Sequence, residues 1–164
     1  MTAEFSFDIV SQIDQQELAN ALDQTRREIV SRYDFKGVLA EIEQEDGKLI
    51  IRVPDEYKLN AALDILKSKM LRRGLDLKIL GEIKKENASG GTLKATIPLV
   101  EGISQDKAKL INKLIRDKLP KIKSSIQGDA IRVSSKSKDE LQMVMQILQS
   151  SQQTNLPLQF TNYR

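Results

Sequence analysis

The residues of this chain best suited to chemistry are cations that stand next to aromatic side chains. Ser31-Arg32-Tyr33-Asp34-Phe35-Lys36 follows a predicted helix and combines two aromatic rings with two cations. An aromatic face beside arginine and lysine can stack a base while the cations hold its phosphates. The same residues also suit a simpler arrangement, in which the rings cover the helix end and the cations oppose its negative pole. The sequence leaves both interpretations open.

A second group of cations lies in the other half of the chain. Arg132 precedes the loop Ser134-Ser135-Lys136-Ser137-Lys138, which opens a predicted helix. Backbone N–H groups at that helix start, together with Lys136 and Lys138, predict an anion site. An ordinary serine cap is the alternative interpretation.

Two further basic segments carry less information. The tail Phe160-Thr161-Asn162-Tyr163-Arg164 offers two rings and a guanidinium, and Phe160 is expected in the core. The run Lys69-Met70-Leu71-Arg72-Arg73-Gly74 ends another predicted helix. Cations there complement the helix dipole, which explains the run without a ligand.

The elements that carry these residues follow a repeated order. The strand Leu49-Ile50-Ile51-Arg52-Val53 and the strand Ala130-Ile131-Arg132-Val133 place their arginines 80 residues apart, and each precedes a helix of similar pattern. A repeat of this length indicates a duplicated domain rather than a solenoid. Each copy predicts β-α-β-β-α-β, so we expect an α+β protein. Its simplest form is a tandem of two ferredoxin-like domains, each with a four-stranded antiparallel sheet and two helices on one face.

The middle of the chain decides how the strands are shared. Alternating apolar residues predict strands over 75–83 and 92–99, separated by a polar loop that contains Ser89-Gly90-Gly91. Sequential strands usually pair, so strand 92–99 completes the first sheet and strand 4–10 fills its place in the second. This exchange makes each domain a circular permutation of the usual order. The predicted domains are then an acidic one over 12–100 and a basic one made of 1–11 plus 101–164. Contiguous domains over 1–84 and 91–164 are the alternative.

Several classes of enzyme are excluded by composition. The chain has no histidine and no cysteine, which removes triads based on either residue and zinc sites with imidazole or thiolate ligands. Gly90-Gly91-Thr92-Leu93-Lys94 lacks the spacing of a phosphate-binding P-loop. Glu41, Glu43 and Glu45 share one strand face and are expected in solvent. We therefore expect no enzyme activity and no cofactor or metal.

Charge is distributed unevenly along the chain. Residues 1–83 hold 12 lysines and arginines against 16 acidic residues, whereas residues 84–164 hold 14 against 7. One face of a predicted helix in the basic half carries four cations, Lys107, Lys109, Lys113 and Arg116. Such a face suits a polyanion. The central strands lack the aromatic residues of an RNA-recognition motif, so RNA would be held through its phosphates with strong salt dependence.

Two further features concern the compartment. No apolar run approaches the roughly 20 residues that span a bilayer, so no membrane partner is expected. The N-terminal residues show no basic and apolar segments of a signal peptide, which together with the absence of cysteine predicts a cytoplasmic location.

Four segments carry a resemblance to a known family: Ser6-Phe7-Asp8-Ile9-Val10-Ser11, the 31–36 motif, Ile126-Gln127-Gly128-Asp129-Ala130-Ile131-Arg132-Val133 and the 160–164 tail. On these segments the chain resembles the bacterial YajQ family over nearly its whole length. Segments 71–74 and 136–142 are also similar. Tyr33, where phenylalanine is common, and Gly37 are mild departures. The resemblance implies a cytosolic tandem of two small domains of ribonucleoprotein-like topology. Members are described as nucleotide-binding proteins, some as cyclic-di-GMP effectors that act through other proteins, and the family is not known for enzymatic activity.

These observations together predict a non-catalytic nucleotide-binding protein for a guanine nucleotide or cyclic-di-GMP. The candidate nucleotide-binding residues are Arg32, Tyr33, Phe35, Lys36, Arg132, Lys136 and Arg164. One alternative is an RNA- or tRNA-binding module that uses the basic C-terminal half. The other is an adaptor whose acidic N-terminal half meets a regulatory protein.

Overall fold

The computed structural model describes residues 4–151 and 153–164. In chain order its helices and strands are β1 (Phe5–Val10), α1 (Gln15–Ser31), β2 (Glu41–Glu45), β3 (Lys48–Val53), α2 (Glu56–Arg72), β4 (Lys84–Asn87), β5 (Leu93–Pro98), α3 (Gln105–Lys118), β6 (Lys123–Gln127), β7 (Ala130–Ser135), α4 (Lys138–Ser150) and β8 (Gln159–Thr161). None of the helices among the described residues is long and apolar enough to cross a membrane.

Contacts between residues divide the chain into two compact units. The inserted unit is Ile13–Val100; the split unit consists of the described residues up to Gln12 together with 101–164. Counted by unit, the inserted unit holds 15 basic and 15 acidic residues, because Lys84, Lys85 and Lys94 belong to it. The excess of positive charge therefore belongs to the split unit, and the expected acidic domain over 12–100 is neutral instead.

The split unit has an antiparallel sheet in the order β6-β7-β1-β8. Phe7 pairs with Val133 and Ile9 with Ile131, and all four side chains are fully buried. The helices α3 and α4 contribute further buried apolar residues: Ala108, Ile111, Ile115, Leu141, Val144 and Leu148. The elements of this unit keep the order β-α-β-β-α-β, with the inserted unit placed between β1 and α3.

The inserted unit has the sheet order β2-β3-β5-β4, again antiparallel throughout. Leu49 pairs with Ile97 and Ile51 with Ala95, and these residues share a core with α1 and α2. Here β5 occupies the central place that β1 occupies in the split unit. The structure thus confirms the predicted α+β tandem of ferredoxin-like folds with strands 4–10 and 92–99 exchanged. The expectation that each domain is a circular permutation is wrong for the split unit, which keeps the usual order; the inserted unit is the permuted one.

The predicted strand over 75–83 is wrong. Asp76 accepts a hydrogen bond from the backbone N–H of Lys78 at 2.8 Å and caps a short 3-10 helix, Leu77–Ile79. A local side-chain cap of this kind gives the backbone an alternative to a strand ladder. Leu75 and Ile79 are still buried, so the apolar pattern marks contact with the core rather than a strand. The continuous strand begins at Lys84, although Leu80 already forms an isolated antiparallel bridge with Leu99.

Candidate functional site

The C-terminal tail is held against β1 by a bulge at Asn162. Asp8 pairs with Thr161, whereas the backbones of Ser6 and Arg164 exchange hydrogen bonds of 3.2 and 3.0 Å. The tail therefore has one extra residue between the two pairs, which defines a β-bulge. Asn162 has a φ of 57°, and asparagine is among the few residues that adopt this left-handed conformation readily.

This bulge sets the direction of Tyr163. Strict alternation would place Tyr163 on the opposite face of the sheet from Phe160. Instead both rings contact Phe7: the Phe160 centroid lies 5.5 Å from it, edge to face, and the Tyr163 centroid lies 6.1 Å from it. Tyr163 remains 63% exposed, so much of its surface is open to a ligand.

Asp8 connects the tail to the sheet. Its carboxylate accepts a hydrogen bond from Arg132 Nε at 3.0 Å and another from Asn162 Nδ2 at 2.9 Å. These hydrogen bonds, that from Arg132 above all, lower the pKa of Asp8 below its ordinary value, with the charge of Arg164 adding to the effect. The positive charge of the Arg132 guanidinium is thus neutralised by Asp8, and the two residues position the C-terminal tail.

Beside the tail lies a cavity of about 400 Å³. Its lining residues are Phe5, Ser6, Lys138, Leu141, Gln142, Met145, Tyr163 and Arg164. The four residues from α4 are spaced i, i+3, i+4 and i+7 and so share one helix face. The ammonium of Lys138 lies 5.0 Å from the centroid of the Phe5 ring, within the range of a cation–π contact. The cavity combines aromatic and aliphatic surface with two cations, two hydroxyls and an amide, the composition of a small-molecule site.

The hydroxyl-rich loop before α4 serves as a helix cap. Ser135 Oγ accepts from the N–H of Ser137 at 3.1 Å and donates to the Glu140 carboxylate at 2.7 Å. Ser137 Oγ accepts from the N–H of Glu140 at 3.4 Å. Two of the N–H groups that an anion would need are therefore already bonded, and Lys136 extends into solvent.

The 31–36 motif lies in the inserted unit, where Phe35 is a core residue. Its ring is 4% exposed, with the ammonium of Lys58 at 5.0 Å from the centroid. Arg32 binds both carboxylate oxygens of Asp34 at 2.9 Å. Tyr33 is 89% exposed, and Lys36 is exposed as well. This packing corresponds to the simpler interpretation for Phe35 and leaves Tyr33 and Lys36 accessible.

The basic face of α3 points away from the core. Lys109, Lys113 and Arg116 are exposed, and Lys107 Nζ donates to the carbonyl of Gln153 at 3.3 Å. Among the described residues, none of these four cations has an ion-pair partner within 4.0 Å. The face is available to an anion but has no aromatic neighbour on the helix.

The seven predicted nucleotide-binding residues are divided between the units. Arg32, Tyr33, Phe35 and Lys36 belong to the inserted unit, whereas Arg132, Lys136 and Arg164 belong to the split unit. Of these, Arg164 alone lines the described cavity of the split unit. Sequence reasoning missed Phe5, Gln142 and Met145, because the cavity draws on segments more than 130 positions apart. The regular spacing of the α4 residues was the one available signal.

Comparison with known proteins identifies the family of this chain. The family described as "Nucleotide-binding protein YajQ-like" matches residues 5–164. A protein of Trichodesmium erythraeum named "Nucleotide-binding protein" is 49% identical over 164 residues, covering all of both chains. Similar proteins of Desulfitobacterium hafniense, at 46%, and Synechococcus elongatus, at 48%, also match over the full length of both chains and carry the same description. This chain belongs to the YajQ-like family.

Proposed function

We propose that the cavity of the split unit is a non-catalytic nucleotide site for a guanine nucleotide or cyclic-di-GMP in the cytoplasm. The observation that carries the proposal is the combination, in one cavity, of the rings of Phe5 and Tyr163 with the cations Lys138 and Arg164. A base stacks on the aromatic surface, and the two cations bind phosphate. The names of the relatives support the ligand class.

The polar groups of the cavity suit a guanine. The side-chain amide of Gln142 both donates and accepts hydrogen bonds, and the hydroxyl of Ser6 does the same. A guanine edge offers adjacent donors and acceptors that such groups can pair. A cavity of about 400 Å³ is of the size that takes one nucleoside, so in cyclic-di-GMP one guanine enters and the phosphates remain near Lys138 and Arg164.

Calorimetry with GTP, GMP, ATP and cyclic-di-GMP tests the proposal. Stacking on an aromatic ring contributes about 1–3 kcal/mol per base, so Tyr163→Ala is expected to weaken binding by roughly 5- to 150-fold. Tyr57→Ala is the matched control, since Tyr57 is 75% exposed in the inserted unit. Unchanged affinity in Tyr163→Ala would refute this site. Loss of affinity in Tyr33→Ala but not in Tyr163→Ala would move the site to the 31–36 motif.

A second candidate is RNA binding by the basic face of α3. It is favoured by the exposure of Lys109, Lys113 and Arg116 without ion-pair partners among the described residues. Replacing all three by glutamine should lower affinity for an unstructured RNA and reduce the slope of log affinity against log salt by about 2–3. An unchanged slope would remove α3 from consideration.

A further inference from the structure

A second cavity, a shallow groove wide open to solvent, lies in the inserted unit between the outer faces of α1 and α2. Its volume is about 680 Å³. Its lining residues are Glu17, Gln24, Arg27, Glu28, Ser31, Lys69, Arg72 and Arg73. None of the eight is aromatic or aliphatic, and four are cations. The cavity is therefore built to hold charge rather than an apolar group.

Glu28 is the central anion of this cavity. Its carboxylate binds Lys69 Nζ at 2.9 Å and lies 3.7 Å from Arg32 Nη1. Lys69 is largely sheltered, since its side chain is 14% exposed. The hydrogen bond from Lys69, with the charges of Lys69, Arg32 and Arg72, lowers the pKa of Glu28, so this carboxylate is ionised at neutral pH. An anionic group thus already sits among several cations from two helices.

The cavity carries more positive charge than its own acidic side chains neutralise. Arg73 lies 3.7 Å from Glu17. Arg27 and Arg72 are exposed, and neither has an ion-pair partner within 4.0 Å among the residues that the structure describes. The inserted unit as a whole is neutral, with 15 basic and 15 acidic residues, so this positive charge is a local feature of the cavity.

We propose that this cavity binds a short phosphate chain, and that Glu28 occupies in the free protein the position that one phosphate takes in the complex. None of its lining residues is aromatic or aliphatic, which favours phosphate over a base. Arginine presents several donors in a fork that matches phosphate oxygens, and lysine adds a point charge. Cations on two facing helices contact successive phosphates of a chain, and each phosphate carries at least the charge of the carboxylate that it displaces.

Titration calorimetry with inorganic tripolyphosphate at low salt tests this site. The double variant Arg27→Gln/Arg72→Gln is expected to bind at least about tenfold more weakly, because two charge-assisted contacts are lost. Both arginines are exposed, so the variant keeps its fold, which circular dichroism checks. The matched control Lys48→Gln/Lys84→Gln removes the same charge from the sheet of the same unit and should change affinity less than twofold.

Glu28→Gln gives an independent measurement. Removing the internal competitor frees Lys69, so tripolyphosphate should bind about fivefold more tightly. Equal or weaker binding by this variant would refute the role of Glu28. If the two double variants lose affinity for tripolyphosphate equally, the effect comes from net charge alone and the site is refuted.

The source of the phosphate chain is distinguished with nucleotides. If binding of GTP, but not of GMP, depends on Arg27 and Arg72, the chain is the triphosphate of a nucleotide. If binding of tripolyphosphate depends on these arginines and binding of GTP does not, the bound phosphate chain is free polyphosphate. Tyr163→Ala separates this inference from the nucleotide proposal, because it should abolish stacking in the split unit and leave tripolyphosphate binding unchanged.

Discussion

Replacing Asp8 by asparagine tests whether this residue fixes the C-terminal tail. The carboxylate accepts hydrogen bonds from Arg132 at 3.0 Å and from Asn162 at 2.9 Å, and its side chain is 18% exposed. The amide of Asp8→Asn is nearly the same size but has one acceptor oxygen and no charge. The variant therefore loses one bond and the charge that strengthens the other.

The magnitude follows from these contacts. A hydrogen bond to a charged group contributes about 1.5–3 kcal/mol, but a half-solvated ion pair contributes about 0–1 kcal/mol. Because the Arg132 side chain is 34% exposed, the expected loss lies between these two ranges. Asp8→Asn should lower the free energy of unfolding at pH 7 by about 1–2 kcal/mol.

The loss should depend on pH in a defined direction. The pKa of Asp8 is lowered in the folded protein, so the carboxylate stabilises the fold above its unfolded pKa. This contribution disappears as the pH falls through the lower folded pKa. Wild type and variant should therefore differ in stability at pH 7 and converge as the pH falls below the ordinary value of 3.8.

Urea denaturation followed by circular dichroism, from pH 7 to pH 3, measures the difference. Asp129→Asn is the matched control, because Asp129 is exposed in the turn between β6 and β7 of the same unit. A difference between wild type and Asp8→Asn that stays constant over this pH range would refute the ionic account. An equal loss in Asp129→Asn would show a general effect of charge.

Three further predictions address the backbone and the units. Gly81→Ala should lower the free energy of unfolding, measured by urea denaturation, by about 1–3 kcal/mol, because a Cβ would lie 2.9 Å from the carbonyl oxygen of Pro98. A loss under about 0.5 kcal/mol would contradict this. Asn162→Val should weaken nucleotide binding in calorimetry by displacing the tail, whereas Asn162→Gly, which tolerates a φ of 57°, should weaken it less; equal effects would contradict the role of the bulge. We propose that residues 13–100 are an independent domain, so this segment alone should unfold cooperatively on heating, and a non-cooperative melt would argue against it.

Most of the fold could be predicted because its signals are periodic. Strands such as Phe5–Val10 and Leu93–Pro98 alternate apolar and polar residues, and the repeat of the central strand shows two copies of one fold. The tendency of sequential strands to pair was sufficient to predict the exchange. The strand predicted around Asp76 was wrong because apolar residues two positions apart also suit a 3-10 helix that packs on a core. The choice between strand and 3-10 helix depends on a cap made by one side chain, that of Asp76.

The site was less predictable because it depends on contacts between distant segments. Arg164 was identified from its residue type, but its cavity partner Phe5 stands at the other end of the chain. The direction of Tyr163 depends on a left-handed residue at Asn162, which no periodic pattern shows. For Phe35, the aromatic and cationic pattern was real, yet burial made the ring part of the core.

The insertion between β1 and α3 also determines how the chain folds during synthesis. Phe5–Val10 leaves the ribosome long before its sheet neighbours β7 and β8, which begin at Ala130 and Gln159. The inserted unit meanwhile completes its own sheet by Pro98. At translation rates of about 5–20 residues per second, β1 waits roughly 6–30 seconds with unpaired edges and the apolar side chains of Phe7 and Ile9 exposed. An unpaired apolar strand is a template for aggregation, so slowed or interrupted translation should harm this protein most between the completion of its two sheets.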